Sequence, residues 1–230
     1  MLRSLHEKIF SLDGETQKVM RLVAAACAAS GKRVLDVGCG YGRLLALVKA
    51  AGFEVTGVEI NAEIVAANRK AGLSCISADE FKTSNDRYDV MLMAHVIEHF
   101  APADLLHFMD IYLDRLKPGG RLVIATPLMS DYFYDDFDHI RPYQPAGILM
   151  VFGEGTPQVQ YYSRNKLALR ELWFRRSPKR SSYARGRYLP VPGRWALLAL
   201  DLLASAAFLL SGRLFGTIDG WVGVFEKTRG

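Results

Sequence analysis

A buried-type strand that runs straight into a turn with three alternating glycines constrains this chain more than any other feature. The segment covers residues 34–43, and its glycines are Gly38, Gly40 and Gly42. The residues after Arg43 are apolar and begin a predicted helix. Glycine tolerates positive φ and lets a ligand approach the backbone, so this order of elements predicts a phosphate or nucleotide cradle.

The end of the turn excludes the common dinucleotide fingerprint. That fingerprint needs its third glycine at position 43, but position 43 is Arg and the third glycine comes early, at Gly42. Asp36 lies two residues before the first glycine. A carboxylate there would repel a pyrophosphate and would suit a ligand that carries an ammonium group.

Two further segments accompany the turn. Ala94-His95-Val96-Ile97-Glu98-His99-Phe100 follows the predicted fourth strand, and Leu116-Lys117-Pro118-Gly119-Gly120 precedes the fifth. With the glycine turn they resemble class I S-adenosylmethionine (SAM) methyltransferases, in particular the small-molecule, ubiquinone-biosynthesis-type group (methyltransferase domain 11/23-like). The resemblance covers residues 30–127 well and the rest weakly. It implies SAM as the cofactor and leaves the substrate open.

Apolar, β-rich runs alternate with helical patterns, which predicts an α/β, Rossmann-like fold. We expect a doubly wound, mainly parallel seven-stranded sheet with helices on both faces. The chain has 230 residues, half of them hydrophobic, which suits a single domain. Its expected parts are an N-terminal helical cap (1–30), a cofactor-binding core (31–127) and substrate-side additions (128–230). Strands are expected at 33–37, 53–59, 74–77, 88–94, 121–125, 158–162 and 221–227, and helices at 4–29 (or a pair broken near Asp13-Gly14), 43–51, 61–70, 103–115, 145–152 and 195–210.

Acidic residues at successive strand ends carry the cofactor prediction. Glu59 ends the second strand, 17 residues after Gly42, where a carboxylate can accept both ribose hydroxyls. A solvated strand-end acid is the alternative. In the resembling family the acid equivalent to Asp79 takes the adenine amino group, and an ordinary helix N-cap is the alternative. The predicted cofactor-binding set is Asp36, Gly38, Gly40, Tyr41, Glu59, Ile60, Asp79, Glu80, Ala94 and His95.

The segment after the fourth strand predicts contacts with both ligands. In the resembling family its backbone lines the sulfonium and the next residues face the substrate, which implies substrate roles for Glu98 and His99. His95 is predicted to line the cofactor or the substrate and to take part in catalysis. The spacing of these three residues is not that of a zinc-binding helix, so we predict no metal site and a local hydrogen bond for His99.

An acidic, aromatic stretch at residues 131–143 contains the candidate base. An alcohol or phenol acceptor benefits from a base with a pKa near neutrality, and His139 is predicted in this role. Arg141 would grip an anionic group of the acceptor, with Tyr143 beside it. The alternative is a capping loop in which Asp138 pairs with Arg141. The acids of the stretch offer a magnesium site but are more typical of a solvated loop; they are Asp135, Asp136 and Asp138.

Charge and apolarity set the last third of the chain apart. The net charge is +5, yet ten Lys or Arg residues and one acid lie between positions 164 and 194. The 16-residue apolar run at 195–210 is short for a membrane span and contains Asp201. It predicts an interfacial helix on an anionic membrane surface, with Asp201 and Ser205 as a polar stripe, or a helix buried in the core or a homodimer. The basic run has no recognisable nucleic-acid module, so no nucleic-acid partner is expected.

Sparse, unpaired cysteines favour reduced thiols and a cytoplasmic location, with peripheral placement on the inner face of a membrane as an option. The three are Cys27, Cys39 and Cys75. The sequence therefore predicts a SAM-dependent methyltransferase that methylates an oxygen of a small-molecule or lipid- or glycan-linked acceptor. The alternative is a SAM-binding fold that has lost catalysis and serves as a scaffold or partner protein.

Overall fold

The fold is one sheet of seven strands with helices on both faces. The computed structural model describes residues 13–155, 160–179 and 192–229. The strands are β1 (Arg33–Val37), β2 (Glu54–Glu59), β3 (Cys75–Ser77), β4 (Tyr88–Ala94), β5 (Leu116–Pro127), β6 (Lys166–Ser177) and β7 (Thr217–Arg229). The helices are α1 (Asp13–Ser30), α2 (Arg43–Ala50), α3 (Ala62–Lys70), α4 (Ala78–Thr83), α5 (Pro102–Leu113), α6 (Pro145–Phe152) and α7 (Arg194–Leu210).

The strand order is β3-β2-β1-β4-β5-β7-β6. Strands β1 to β5 are parallel, whereas β7 is antiparallel to both of its neighbours, β5 and β6. The predicted seven-stranded, mainly parallel sheet is therefore confirmed. The order reverses at β1 and β4, so the carboxyl ends of these two strands flank the crevice where such sheets bind ligands.

The central strands of the sheet are apolar, and helices bury them on both faces. Six of the seven residues of β4 are buried, as expected for a strand covered by helices on both sides. Buried residues of α1 and α2, including Val19 and Leu45, cover one face. Buried residues of α5 and α6, including Leu113 and Ile148, cover the other.

Local signals in the first half fix the element boundaries. The side chain of Asn61 accepts hydrogen bonds from the amides of Glu63 and Ile64, which confirms it as the N-cap of α3. Pro102 opens α5, as its fixed φ and missing N–H favour. Helix α1 begins at Asp13 in the described residues, and the predicted helical residues before it lie outside them.

Two predictions for the second half were wrong. Residues 160–162 of the expected sixth strand at 158–162 are irregular, and residues 158–159 lie outside the described residues. Instead β6 forms within the basic segment, because its Leu and Trp side chains pack against the sheet while Arg170 and Arg176 are exposed. Residues 116–120, expected to precede the fifth strand, are part of β5, which begins at Leu116 and shifts register against β4 there.

Helix α7 is confirmed, but its polar stripe points inwards. Asp201 and Ser205 are buried, whereas Leu203 and Leu210 have 68% and 89% of their surface exposed. Burial of the apolar face in the core of this chain is therefore wrong. Within the described residues, no helix combines the length and apolarity that crossing a bilayer would take.

Candidate functional site

The glycine turn after β1 leaves room for a ligand at one glycine only. Gly38, Gly40 and Gly42 all have positive φ, at 68°, 50° and 74°. A Cβ atom at Gly38 would lie 2.7 Å from a methyl of Val96, and one at Gly42 would lie 2.7 Å from Oδ1 of Asn68. A Cβ at Gly40 would meet no atom within 4 Å. The two outer glycines are thus required by packing, and Gly40 faces open space.

Asp36 brings a buried carboxyl group to this cradle. It is almost fully buried, and its Oδ2 has no hydrogen-bond partner. Burial raises the pKa of Asp36 to about 7, against a smaller opposing effect of the Leu45 backbone amide. A buried carboxylate oxygen without a donor is costly, so a cationic ligand group near it would be stabilised.

Glu59 ties the end of β2 to the glycine turn. Its Oε2 accepts a hydrogen bond from the Gly40 amide at 3.0 Å. Its Oε1 accepts from the amides of Ile60 and Asn61 at 2.8 and 3.0 Å. These three bonds leave lone pairs on both oxygens for hydroxyl donors. Ile60 and Tyr41 expose most of their side chains beside the turn.

The end of β3 carries the next predicted cofactor residues. The N-cap of α4 is Ser77, so the alternative that assigned this cap to Asp79 is wrong. Glu80 closes a capping box with Ser77 and pairs with Arg69 at 2.6 Å. Asp79 is exposed and pairs with Lys82 of the same helix at 2.8 Å. Glu80 is therefore occupied locally, while Asp79 remains accessible to a ligand.

His95 lies immediately after Ala94 at the end of β4 and has an unusual backbone. Its φ is +57°, a left-handed conformation that costs free energy in a residue with a side chain. Its Nε2 is 2.6 Å from Oε1 of Glu15, and its Nδ1 is 3.3 Å from Oε1 of Glu98. Burial opposes the charge on His95, but these two carboxylates outweigh burial and raise its pKa to about 9. A cation cannot accept a proton, so this arrangement favours His139 over His95 as the base.

The contacts of His95 continue through α1 to β6 and β7. Oε2 of Glu15 lies 2.7 Å from Nη1 of Arg175, and Nε of Arg175 lies 2.9 Å from Oδ1 of Asp219. Glu15 is 4% exposed. Sequence reasoning missed Glu15, Arg175 and Asp219. A signal existed for Glu15, which lies four residues before the buried Val19 and so belongs to the buried stripe of α1.

The loop after β5 meets the turn after β4 at Glu98. The backbone amides of Ile140 and Arg141 donate to the Glu98 carbonyl at 2.9 and 3.1 Å. This places His139 beside His99, with ring centroids 4.9 Å apart. The side chain of Glu98 is fully buried, and its Oε2 accepts from the Thr126 hydroxyl at 2.9 Å. Donor atoms of Glu98, His99 and His139 all lie within 4.8 Å of one another.

A backbone carbonyl occupies one ring nitrogen of His139. Its Nδ1 lies 2.7 Å from the Phe133 carbonyl, which places a proton on Nδ1 and leaves Nε2 outside this contact. Asp138 lies beside His99, with Oδ2 3.4 Å from Nδ1, rather than beside Arg141. Arg141 instead stacks over the ring of Tyr143 at 5.6 Å and is exposed.

Tyr143 has a packing role that the sequence did not indicate. It is buried, and its hydroxyl donates to the Phe100 carbonyl at 2.9 Å. The indole of Trp221 donates to the Tyr143 carbonyl at 2.7 Å. Tyr143 therefore anchors the loop to the sheet, while Arg141 remains available to a ligand.

An open cavity of about 1460 Å³ adjoins His139. Its walls come from the start of α1, the segment after β5, the end of β6 and the segment around the end of α7. Aromatic and apolar side chains line much of it, among them Phe133, Trp173, Phe208 and Leu214. Glu15 and Arg175 contribute charged groups to the same wall. A cavity of this size and character suits an acceptor with an apolar portion and a few polar groups.

A family model described as a methyltransferase domain matches residues 8–185, which is more than half of the chain. The chain belongs to this family. The family and the fold expected from the glycine turn are thereby confirmed.

Curated relatives and solved structures agree with this membership. A ubiquinone biosynthesis O-methyltransferase of Nitrobacter winogradskyi is 33% identical over 125 residues, which cover 51% of this chain and 47% of that protein. The chain thus spans about half the length of the curated relatives that it matches. A SAM-dependent methyltransferase from Archaeoglobus fulgidus superposes with a TM-score of 0.61 at 18% identity, covering 99% of this chain and all of the other. Magnesium protoporphyrin IX methyltransferase from Synechocystis PCC 6803 with bound SAM gives 0.52 at 16% identity, covering 93% of this chain and 79% of that one. At these identities the solved structures are evidence for the fold alone.

Proposed function

We propose that this chain is a SAM-dependent methyltransferase that methylates an oxygen of a small-molecule acceptor. The observation that carries the proposal is the cradle at the glycine turn, where Gly40 faces open space and a buried oxygen of Asp36 has no donor. A ligand with an ammonium group and a ribose fits these groups better than a pyrophosphate does. The matched relatives that carry the name of an O-methyltransferase support oxygen as the acceptor atom.

SAM would be held by groups at three strand ends. Asp36 would face the ammonium group of SAM, Glu59 the ribose hydroxyls and Asp79 the adenine amino group. The side chains of Tyr41 and Ile60 would flank the cofactor. The backbone of Ala94 and His95 would lie near the sulfonium. The pair that Asp79 makes with Lys82 is exposed on both sides, so it exchanges readily for a ligand contact. When bound, SAM supplies a methyl group on a positively charged sulfur.

The chain itself orients the acceptor, excludes water and removes a proton. His139, which lines the cavity, takes the acceptor proton on Nε2, while the Phe133 carbonyl holds the other ring nitrogen. Arg141 is the exposed cation for an anionic acceptor group. Glu98 and His99 complete the wall between the cofactor cradle and the loop that carries His139.

Calorimetric titration with SAM tests the cofactor half of the proposal. Wild type should bind one SAM, and Gly40→Arg should abolish binding, because the new side chain fills the open space. Gly72→Arg is the matched control, since Gly72 also has positive φ and open surroundings but lies in the loop before β3, at the amino end of the parallel strands and not at the carboxyl end where the cradle lies. Absence of SAM binding by the folded wild type would overturn the proposal.

The acceptor half needs a separate test. A lysate treated with the protein and methyl-tritiated SAM, then split into lipid, glycan, small-molecule and protein pools, should show label in an acceptor pool with wild type and none with Gly40→Arg. If wild type binds SAM but labels no pool, the catalytically inactive scaffold becomes the better account. Release of label by acid or by base then distinguishes ethers, esters and N-methyl groups.

We further propose that the outward face of α7 rests on an anionic membrane surface and that the acceptor is lipid-linked. Eight apolar side chains of α7 and the residues after it are about half exposed or more: Trp195, Leu200, Leu202, Leu203, Leu209, Leu210, Leu214 and Phe215. Leu209 and Leu214 also line the acceptor cavity, which makes the exposed face continuous with it. Lys179 and Arg213 at the cavity provide positive charge for anionic headgroups.

Flotation with vesicles of mixed neutral and anionic phospholipid tests this placement. Wild type should float, Leu203→Glu should float less, and the control Leu47→Glu on α2 should behave as wild type. A stable homodimer that Leu203→Glu dissociates, with no flotation of wild type, would assign the face to a second copy of the chain instead.

A further inference from the structure

Three cations line the acceptor cavity where the end of β6 meets the segment after α7. Arg176 and Lys179 come from the end of β6 and the residues that follow it, and Arg213 follows α7. Nη1 of Arg176 donates to the Leu214 carbonyl at 2.9 Å. The two segments that carry these cations are therefore in direct contact, although they are distant in the sequence.

A shift in strand register accompanies the first of these cations. Arg175 pairs with Gly220 of β7 and Arg176 with Ile218, so the ladder skips Asp219. Such a bulge breaks the regular alternation of side chains along a strand and re-aims one of them. This irregularity allows the two successive arginines to line the same cavity.

The two arginines differ in the hydrogen bonds that they have left to give. Arg175 pairs with Glu15, and it also donates to the carboxylate and to the carbonyl of Asp219. Within the part of the chain that the structure describes, the guanidinium of Arg176 donates to the Leu214 carbonyl alone. Arg175 therefore serves the fold, whereas Arg176 keeps N–H donors for a ligand.

Arg213 is held at the cavity by an unusual backbone. Helix α7 ends in a Schellman motif, in which the Gly212 amide donates to the Leu209 carbonyl at 3.1 Å and the Arg213 amide to the Phe208 carbonyl at 2.8 Å. Arg213 has a φ of +70°, a left-handed conformation that costs free energy in a residue with a side chain. Its guanidinium lies over Gly14, where a Cβ atom would come within 2.6 Å of Nη1. Backbone strain and a glycine thus place this cation.

The acids of the cavity wall do not neutralise these cations. Among the described residues, neither Lys179 nor Arg213 has a side-chain hydrogen bond or an ion pair. Glu15 and Asp219 line the cavity but pair with Arg175. The other acids of the wall belong to the loop after β5, which also carries the candidate base. The end of the cavity beside α7 therefore favours an anionic group.

Apolar side chains adjoin the cations. Phe208, Leu209 and Leu214 line the same cavity. Phe208 is buried, whereas Leu214 exposes 71% of its surface, so this wall runs from the interior to the exposed face of α7. A ligand with an anionic group at the cations would lay an apolar portion along these side chains.

We propose that Arg176, Lys179 and Arg213 bind a phosphate group of an amphiphilic acceptor. Guanidinium groups present paired N–H donors that match phosphate oxygens, and the double charge of a phosphate monoester suits three cations better than a carboxylate does. Arg141, the other cation proposed for an anionic acceptor group, is not among the described residues that line the cavity. As a statement about the acceptor, the inference rests on the proposed function, because it makes the molecule that receives the methyl group an amphiphilic phosphate ester.

Titration calorimetry of the full chain with n-octyl phosphate tests the site without SAM. We expect one molecule per chain, bound at least about tenfold more tightly than inorganic phosphate because the apolar chain is also buried. Octanoate should bind more weakly than octyl phosphate, since a carboxylate carries less charge and accepts fewer hydrogen bonds.

Variants of the three cations assign the binding to this site. Arg176→Gln and Arg213→Gln should each weaken octyl phosphate binding at least about fivefold, and Lys179→Gln, which alters an exposed side chain, should weaken it as well. Arg170→Gln is the matched control, since Arg170 is an exposed arginine of β6 that pairs with Glu226 and is not among the described residues that line the cavity. Circular dichroism checks that each variant is folded.

Flotation of the same variants with anionic vesicles separates a phosphate in the cavity from a phosphate of the membrane surface. Loss of octyl phosphate binding with flotation retained supports the proposal. Unchanged octyl phosphate binding with reduced flotation would assign the cations to lipid headgroups and overturn it. Absence of octyl phosphate binding by wild type, or equal affinity for octanoate, overturns it too. SAM titration keeps the two proposals apart, because a wild type that binds SAM but not octyl phosphate loses only this site.

Discussion

Replacement of Glu15 by Gln should remove much of the pH dependence of stability between pH 6.5 and 9.5. Glu15 lies between His95 and Arg175 in a buried series of charges. Because His95 binds its proton more tightly in the folded state, its stabilisation is complete below its ordinary pKa of 6.5 and is lost as the pH rises through about 9. The difference between these two pKa values corresponds to about 3 kcal/mol of unfolding free energy. Because one third of the His95 side chain is exposed to solvent, we expect about half of that value.

The variant should behave differently at the two ends of this range. At pH 6.5 Glu15→Gln should lose about 2–4 kcal/mol of unfolding free energy, since one member of a buried pair has gone. At pH 9.5 wild type has already lost the contribution of His95, so the gap between the two proteins should narrow by about 1–2 kcal/mol. Urea unfolding followed by circular dichroism measures both values, and NMR titration of the His95 ring should show a lowered pKa in the variant.

Glu171→Gln is the matched control. Glu171 of β6 pairs with Lys18 of α1, the helix that carries Glu15, and half of the Glu171 side chain is exposed. Loss of this pair should therefore cost no more than about 1 kcal/mol and should leave the pH profile of stability unchanged from that of wild type. A Glu15→Gln variant that loses as much stability as wild type between pH 6.5 and 9.5 would refute the assignment of His95 as a cation held by Glu15.

Three further outcomes are expected. Burial raises the pKa of Asp36 to about 7, so the carboxylate that would contact the ammonium group forms between pH 6 and pH 8. SAM affinity measured by titration calorimetry should therefore rise about tenfold over this range, and Asp36→Asn should flatten the rise. A flat wild-type profile would exclude an ammonium contact. Gly38→Ala should lower the melting temperature, because the positive φ and the 2.7 Å approach of a Cβ to Val96 together cost about 1–3 kcal/mol. The control Gly147→Ala in α6, where the surroundings are open, should not lower it. Equal melting temperatures of the two variants would contradict the packing argument. His139→Ala should lower turnover about 10²-fold or more while the SAM Kd stays within about twofold, and unaltered turnover would remove His139 from the reaction.

The cofactor half could be predicted because its signals are local. The glycine turn, the cap at Asn61 and the apolar run of β4 each depend on a few neighbouring residues, and all three have the predicted structure. Asp79 shows the limit of such signals, since Ser77 was an equally good cap two residues earlier and forms the capping box.

The other half could not be predicted because its contacts join distant segments. The meeting of Glu15 with His95 crosses 80 residues, and that of Glu15 with Arg175 crosses 160. Strand β6 carries Arg residues that made its segment look like a basic run suited to anionic headgroups. One of them, Arg175, turns inwards because Glu15 and Asp219 supply the opposite charge there. The sequence places Glu15 on the buried stripe of α1, but nothing in the sequence indicates that Arg175 is its partner.

The position of β7 has a consequence for synthesis on the ribosome. This strand inserts between β5 and β6 and pairs with both along most of its length, although about 90 residues separate it from β5. The cofactor-binding core, residues 31–127, therefore emerges with the edge of β5 unpaired. Until residues 217–229 have left the exit tunnel, this edge can pair with strands of other chains. Ribosome-bound chains that end before residue 217 should thus depend on holding chaperones, and the delay before β7 arrives sets how long this edge must be protected.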